Sequence, residues 1–266
     1  KVTTYNFSPV ASGDRLRKVN YPNGSWVEYF YDSLGRRSRM ADSAGGDTRY
    51  DFDAAGRLWK LRDGNDVQIV EYLYDSHGRL LRINKGNGTY TTYQYDSAGQ
   101  ILLLVNHAPD GAPNSRFAYA YDARGRRTRM ETLDGTWTYT YDATGQLIHA
   151  VLDSTNPAIA DQDLRYNYDA MGNRTSTVTN ARVSFYSTNS LNQYNSAAGA
   201  ELVHDADGNL LSDGNGIYDY DQRGLLVSAS VPGGASSFEY DAFGMRVASV
   251  INGQRTEYLV DPSGSI

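Results

Sequence analysis

Tyr74-Asp75-Ser76-His77-Gly78-Arg79-Leu80 is the stretch from which the fold follows. An aromatic, an Asp, two variable residues and a Gly describe a tight turn. The Asp carboxylate accepts backbone N–H bonds at the start of a type I turn, and Gly supplies the φ > 0 position that ends it. The same five residues recur at Tyr31-Asp32 to Gly35, Phe52-Asp53 to Gly56, Tyr95-Asp96 to Gly99, Tyr121-Asp122 to Gly125 and Tyr141-Asp142 to Gly145. They continue at Tyr168-Asp169 to Gly172, His204-Asp205 to Gly208, Tyr220-Asp221 to Gly224, Tyr240-Asp241 to Gly244 and Val260-Asp261 to Gly264. A degenerate copy fits at Thr188-Asn189-Ser190-Leu191-Asn192-Gln193, because Asn tolerates the left-handed conformation and bonds to its own backbone. That makes twelve units with a mean spacing of about 21 residues, a period that signifies a repeat array. Residues 1–26 leave room for a degenerate first repeat, with Tyr5 to Leu16 as its worn remnant.

Each unit holds a second turn signal: Gly45-Gly46, Asp63-Gly64, Gly86-Asn87-Gly88, Asp134-Gly135, Gly233-Gly234 and Asn252-Gly253. One repeat is therefore two short antiparallel strands and two turns, and the whole chain, 1–266, reads as a single array. The strand entering each Asp turn alternates with period 2. Tyr29/Tyr31, Tyr50/Phe52, Tyr72/Tyr74, Tyr93/Tyr95 and Tyr119/Tyr121 each share one face of a sheet. So do Tyr139/Tyr141, Tyr166/Tyr168, Tyr218/Tyr220 and Phe238/Tyr240. Stacked repeats predict a ladder of cross-strand aromatic contacts standing in for a conventional core, each contact contributing roughly 0.2–1 kcal/mol. No capped helical pattern interrupts the chain, and the fold class is all-β. The stretch 153–163 is the longest break in the period and reads as a loop insertion.

Composition narrows the function classes. Formal charge is -6, with no clustered Lys/Arg footprint for a phosphate backbone, so nucleic acid is not an expected partner. The longest apolar run, Ile101 to Val105, is far short of the ~18 residues of a membrane span. With no Cys there is neither a disulfide framework nor a thiolate. The chain opens at Lys1 without a signal-like segment, which reads as a processed or excised piece.

The unit Tyr-Asp-x-x-Gly-Arg-Leu at Tyr74 to Leu80 resembles the YD repeat of Rhs proteins, and the match runs from about residue 27 to 264. Arg follows Gly at Arg36, Arg57, Arg79 and Arg126 and is replaced by Gln100, Gln146, Asn173, Asn209, Leu225 and Met245, a variation that suits a structural position. The resemblance implies a β-sheet spiralling into a hollow shell, as in bacterial polymorphic toxins, toxin complexes and teneurins. In the toxins the shell encloses a C-terminal effector released by self-cleavage. Twenty-four strands at about 4.8 Å would give a sheet on the order of 115 Å wide, a segment of a shell and not a complete container. The implied function is a non-enzymatic scaffold in a secreted or cell-surface bacterial protein. Its partners would be the remaining repeats and an effector domain, and exposed sheet edges allow self-association. The alternative is a module that binds carbohydrate or protein at a cell surface.

Chemistry-bearing residues are weighed against this reading. The residues expected to matter are the turn pairs Asp32/Gly35, Asp53/Gly56, Asp75/Gly78, Asp96/Gly99, Asp122/Gly125, Asp142/Gly145, Asp169/Gly172, Asp205/Gly208, Asp221/Gly224 and Asp241/Gly244. With them stand the ladder residues Tyr31, Tyr74, Tyr95, Tyr121, Tyr141, Tyr168, Tyr220 and Tyr240. No catalytic, cofactor or metal residues are expected. Asp205, Asp207 and Asp213 superficially suggest a calcium loop, but Gly208 falls fourth instead of sixth and Gly216 stands where a bidentate Glu belongs. His77, His107, His149 and His204 are scattered without metal-site spacing. The Asp column could bring carboxylates together for glycoside hydrolysis, yet each Asp already has a turn to hold. Asp261-Pro262-Ser263-Gly264 is similar to an element near the family's self-cleavage region and also fits an ordinary turn. Arg36, Arg37 and Arg39, with Arg126, Arg127 and Arg129, are the most basic stretches, open to pairing with neighbouring acids or to an anionic glycan or acidic partner.

Overall fold

A computed structural model of the chain describes residues 3–10 and 13–259. Among them are 26 strands and no helix. The chain divides into two compact units, residues 1–136 and 137–266.

In the first unit each strand pairs antiparallel with the next in sequence. Trp26–Tyr31 lies between Gly13–Asn20 and Arg37–Asp42, and the succession continues through Asp47–Phe52, Leu58–Asp63, Gln68–Tyr74 and Leu80–Lys85. It runs on through Tyr90–Tyr95, Ile101–His107, Pro113–Tyr121 and Arg127–Glu131. At the front, Thr4–Val10 pairs with Gly13–Asn20. Such nearest-neighbour topology follows from turns too tight to allow any other partner.

In the second unit, Leu147–Ser154, Gln162–Tyr168, Arg174–Thr179, Arg182–Thr188, Tyr194–Ala197 and Ala200–Glu201 pair in order. Val203–His204 then begins a separate seven-stranded sheet that ends with Gln254–Glu257. The insertion is a widened hairpin: Leu152 pairs with Gln162, residues 153–154 and 162–163 remain in strands, and residues 155–161 form the loop.

Eight of the turns after an aromatic-Asp pair are followed by a β-bulge that the period-2 pattern did not predict. Tyr74 pairs with Leu80 but Leu73 with Arg82, leaving Leu81 as the extra residue. The same shift follows Tyr31, Phe52, Tyr95, Tyr121, Tyr168, Tyr220 and Tyr240. A bulge repeated on one side of a sheet adds local twist at a fixed interval.

Few side chains are fully covered. Val19, Val27, Tyr29 and Val105 in the first unit and Ala150, Leu152 and Ala248 in the second are the buried apolar residues among those described. In Gly234–Tyr240 exposed and half-buried residues alternate, with Phe238 and Tyr240 on the half-buried face. The fold thus rests on local contacts repeated many times, as in other repeat arrays.

Candidate functional site: the lock between repeats

The turn is one device used throughout. The Asp32 N–H donates to the Arg36 carbonyl at 2.9 Å and the Gly35 N–H to the Asp32 carbonyl at 2.9 Å, with Gly35 at φ 75°. Asp32 Oδ1 accepts from the N–H groups of Leu34 and Arg36, both at 2.9 Å, and Oδ2 accepts from Arg36 Nε at 2.7 Å. Asp53, Asp75 and Asp122 repeat this pattern with Arg57, Arg79 and Arg126. Where the Arg is lost, Asn173 and Asn209 donate their amides to Asp169 and Asp205 instead. The degenerate unit forms the same turn: Asn189 Oδ1 accepts from Leu191 and Gln193, and Asn192 takes the left-handed position at φ 62°.

These bonds favour the charged carboxylate. Partial burial raises the pKa of Asp32, but the N–H groups and guanidinium of Arg36 outweigh it and leave the pKa below the usual 3.8. For Asp122 the Arg126 N–H is the leading cause of a lowered pKa, and for Asp169 the Asn173 amide is.

The same device closes the opposite end of hairpins in the first unit. Asp42 and Asp63 accept two backbone N–H bonds each, and Asp66, at φ 69°, fills the left-handed place after Asp63. The Asp63-Gly64 signal therefore marks the turn correctly, although Asp66 and not Gly64 holds the left-handed position. Asn252-Gly253, by contrast, is a two-residue turn with φ of 49° and 81° and Ile251 opposite Gln254.

Consecutive repeats are joined through the residue after each Gly. Arg57, held by Asp53, lies over the Tyr74 ring at 4.2 Å; Arg36 does the same to Phe52 at 4.3 Å and Arg79 to Tyr95 at 4.4 Å. Arg79 Nη1 also donates to the Asp96 carbonyl at 3.1 Å. The tyrosine returns the contact: Tyr74 Oη donates to the Leu58 carbonyl at 2.7 Å. Tyr31, Tyr95, Tyr121, Tyr168 and Tyr240 donate in the same way to Leu16, Leu80, Ile101, Leu147 and Leu226. Most turn glycines sit against the preceding repeat as well: a Cβ on Gly125 would lie 2.8 Å from Gln100 Nε2, and one on Gly172 3.1 Å from Gln146 Nε2.

The expected ring-to-ring ladder is replaced by a mixed one. Each repeat contributes two strands, so aromatic strands stand two spacings apart, about 9.6 Å, with the return strand between them. Tyr29 pairs with Met40, Tyr50 with Leu61, Tyr72 with Ile83 and Tyr93 with Leu104. Some stacked rings, such as Trp137 on Tyr139 and Tyr93 on Tyr95, belong to one strand, while Tyr90 on His107 and Tyr186 against Tyr194 make the expected contact across strands. Elsewhere a guanidinium fills the gap: Arg37 lies 4.7 Å from the Tyr29 ring and 5.8 Å from that of Tyr50, and Arg174 lies between Tyr166 and Tyr186.

The opposite face of the first unit is a polar ladder, with Arg39 on Asp47, Arg62 on Asp51 and Lys60 on Glu71. Both basic stretches are engaged inside the sheet. Arg36, Arg39, Arg126 and Arg129 pair with Asp32, Asp47, Asp122 and Glu131, and Arg127 stacks on Tyr119. Asp205 and Asp213 accept N–H bonds within their own turns. Among the described residues no group of three His, Cys, Asp or Glu could hold a metal. No described helix is long and apolar enough to cross a membrane. Val260 to Gly264 and Asp261-Pro262-Ser263-Gly264 lie outside the described residues.

The Teneurin YD-shell family model matches residues 40–156 and 121–256. Among solved structures the chain is similar to the TcdB2-TccC3-Cdc42 complex, with a TM-score of 0.76 and 17% identity over 97% of this chain and 16% of that one. It is also similar to the Photorhabdus luminescens Tc holotoxin pore containing a mutated TccC3, with a TM-score of 0.69 and 19% identity over 88% of this chain and 14% of that one. The chain thus spans about one sixth of the length of the toxin-complex chains it matches. No curated protein sequence matches it.

Proposed function

The chain belongs to the Teneurin YD-shell family, and from that membership we propose that it is a non-enzymatic wall segment whose repeats, read as one array, enclose or present a separate effector polypeptide in a secreted bacterial protein. The carrying observation is the lock itself. The turn Asps accept hydrogen bonds within their own turns, and six of the tyrosines donate to the repeat before them, so the chemistry of the repeat is directed at stacking. The fold shared with the toxin-complex chains supports the same reading. The remaining partners are then further repeats and the effector. The test is protease protection in the native full-length protein. The effector should resist digestion while the wall is intact and become sensitive once Gly125→Val and Gly172→Val open it. Equal digestion of the effector in both proteins would refute enclosure.

A further inference from the structure

In the second unit the two faces of the sheets carry opposite charge. Register fixes which residues share a face, because directly paired residues point the same way. From Leu147 onward the aromatic face bears Arg174, Arg182 and Arg246; its described strands carry no Asp or Glu there, and the turn residue Asp213 meets it by accepting the Tyr218 hydroxyl at 2.8 Å. Asp163, Glu201, Asp219, Glu239 and Glu257 all lie on the other face, where Arg165 pairs with Asp163 and Arg255 with Glu239 and Glu257.

The three arginines are held without carboxylates. Arg174 lies 5.1 Å from the Tyr166 ring and 5.8 Å from that of Tyr186, and its Nε is buried with no hydrogen-bond partner. Arg246 stacks on Phe238 at 4.4 Å and is exposed; Arg182 is exposed at the tip of the Asn180-Ala181 turn. For the exposed Arg246, stacking fixes the plane of the guanidinium and leaves its N–H groups free for a carboxylate, which a guanidinium binds with two parallel hydrogen bonds.

We propose that the aromatic faces of these two sheets are docking surfaces for a carboxylate-rich polypeptide segment, with Arg174 and Arg182 as anion contacts on the first, Arg246 on the second, and the aromatic rings as their floor. The argument is charge complementarity, and it does not depend on the wall reading. A chain of net charge -6 repels polyanions in general, so binding one requires a local surface of this kind.

The experiment titrates the chain at low ionic strength with poly-L-glutamate, poly-L-lysine and dextran sulfate, following binding by calorimetry. Wild type should bind poly-L-glutamate and release it as salt is raised. Arg174→Gln, Arg182→Gln and Arg246→Gln should each weaken binding at least threefold and together by more than tenfold, while Arg255→Gln on the other face leaves it unchanged. Circular dichroism checks that the variants fold. Should the triple variant fail, Arg182→Glu, at an exposed turn, carries the same prediction. No binding of poly-L-glutamate, or equal binding by a folded triple variant, would overturn the proposal. So would preference for dextran sulfate, which would make the face a sulfated-glycan site, or an arginine-dependent self-association seen by light scattering, which would assign it to a second copy.

Discussion

Tyr74 donates its hydroxyl to the Leu58 carbonyl at 2.7 Å while Arg57, the residue before Leu58, lies over the Tyr74 ring at 4.2 Å. One side chain is thereby held from two directions by the preceding repeat. Because that repeat's own Arg is fixed by its Asp, the turn chemistry and the stacking of repeats are one system.

The hydroxyl can be isolated from the stacking. Tyr74→Phe keeps the ring under Arg57 and removes one hydrogen bond to the backbone, so it should cost about 0.5–1.5 kcal/mol in urea unfolding. Phe52 has the stacking without the hydroxyl, and Phe52→Tyr should be neutral or stabilising. No measurable loss from Tyr74→Phe would mean that the bond at Leu58 contributes nothing.

Glycine at the end of the turn meets two demands, a left-handed backbone and room for the previous repeat. Gly125→Ala should cost about 1–2 kcal/mol from the backbone alone, with crowding against Gln100 added. Gly125→Asn should cost less, since Asn192 already adopts that conformation at φ 62°. Thermal melts of the two variants in one buffer decide the order.

Acid should loosen the array. The folded pKa of Asp32, Asp53, Asp75, Asp122, Asp142, Asp169, Asp205 and Asp221 is lowered, so each contributes stability that is present above the unfolded pKa of 3.8 and lost as pH falls through and below it. Melting temperature should hold above about pH 5 and decline progressively below pH 4. Asp122→Asn should differ from wild type most at neutral pH and converge with it in acid. A gap that stays constant with pH would show that the Asp122 charge plays no part.

Calcium should have no effect. Asp205 and Asp213 already accept backbone N–H bonds in their turns, so millimolar calcium or a chelator should leave the melting temperature where it was. A calcium-dependent rise that is lost in Asp205→Asn would place an ion there.

Much of the fold was legible because the turn is local: Asp, two residues and Gly form it without help from the rest of the chain. Even the degenerate copy at Asn189 and Asn192 obeyed the substitution logic. The bulge after Tyr74 was hidden, since alternation counts residues along one strand and says nothing about how many oppose them. The lock was half visible. Exchange of Arg36 for Gln100 or Asn173 marked a structural position, but contact with the next repeat's Gly arises only on stacking. The recurrence of Leu58, Leu80, Ile101, Leu147 and Leu226 one place later was the unused signal for the residue whose carbonyl takes the tyrosine hydroxyl. The charge separation between faces of the second unit needed register, because Arg174 and Asp163 sit on neighbouring strands and only pairing assigns them to opposite sides.

Cryo-electron microscopy of the native full-length protein tests the central claim most directly. The wall account predicts that these strands run on into further repeats and that the curved sheet surrounds density belonging to a separate polypeptide. A free-standing module with solvent on both faces and no enclosed chain would contradict it.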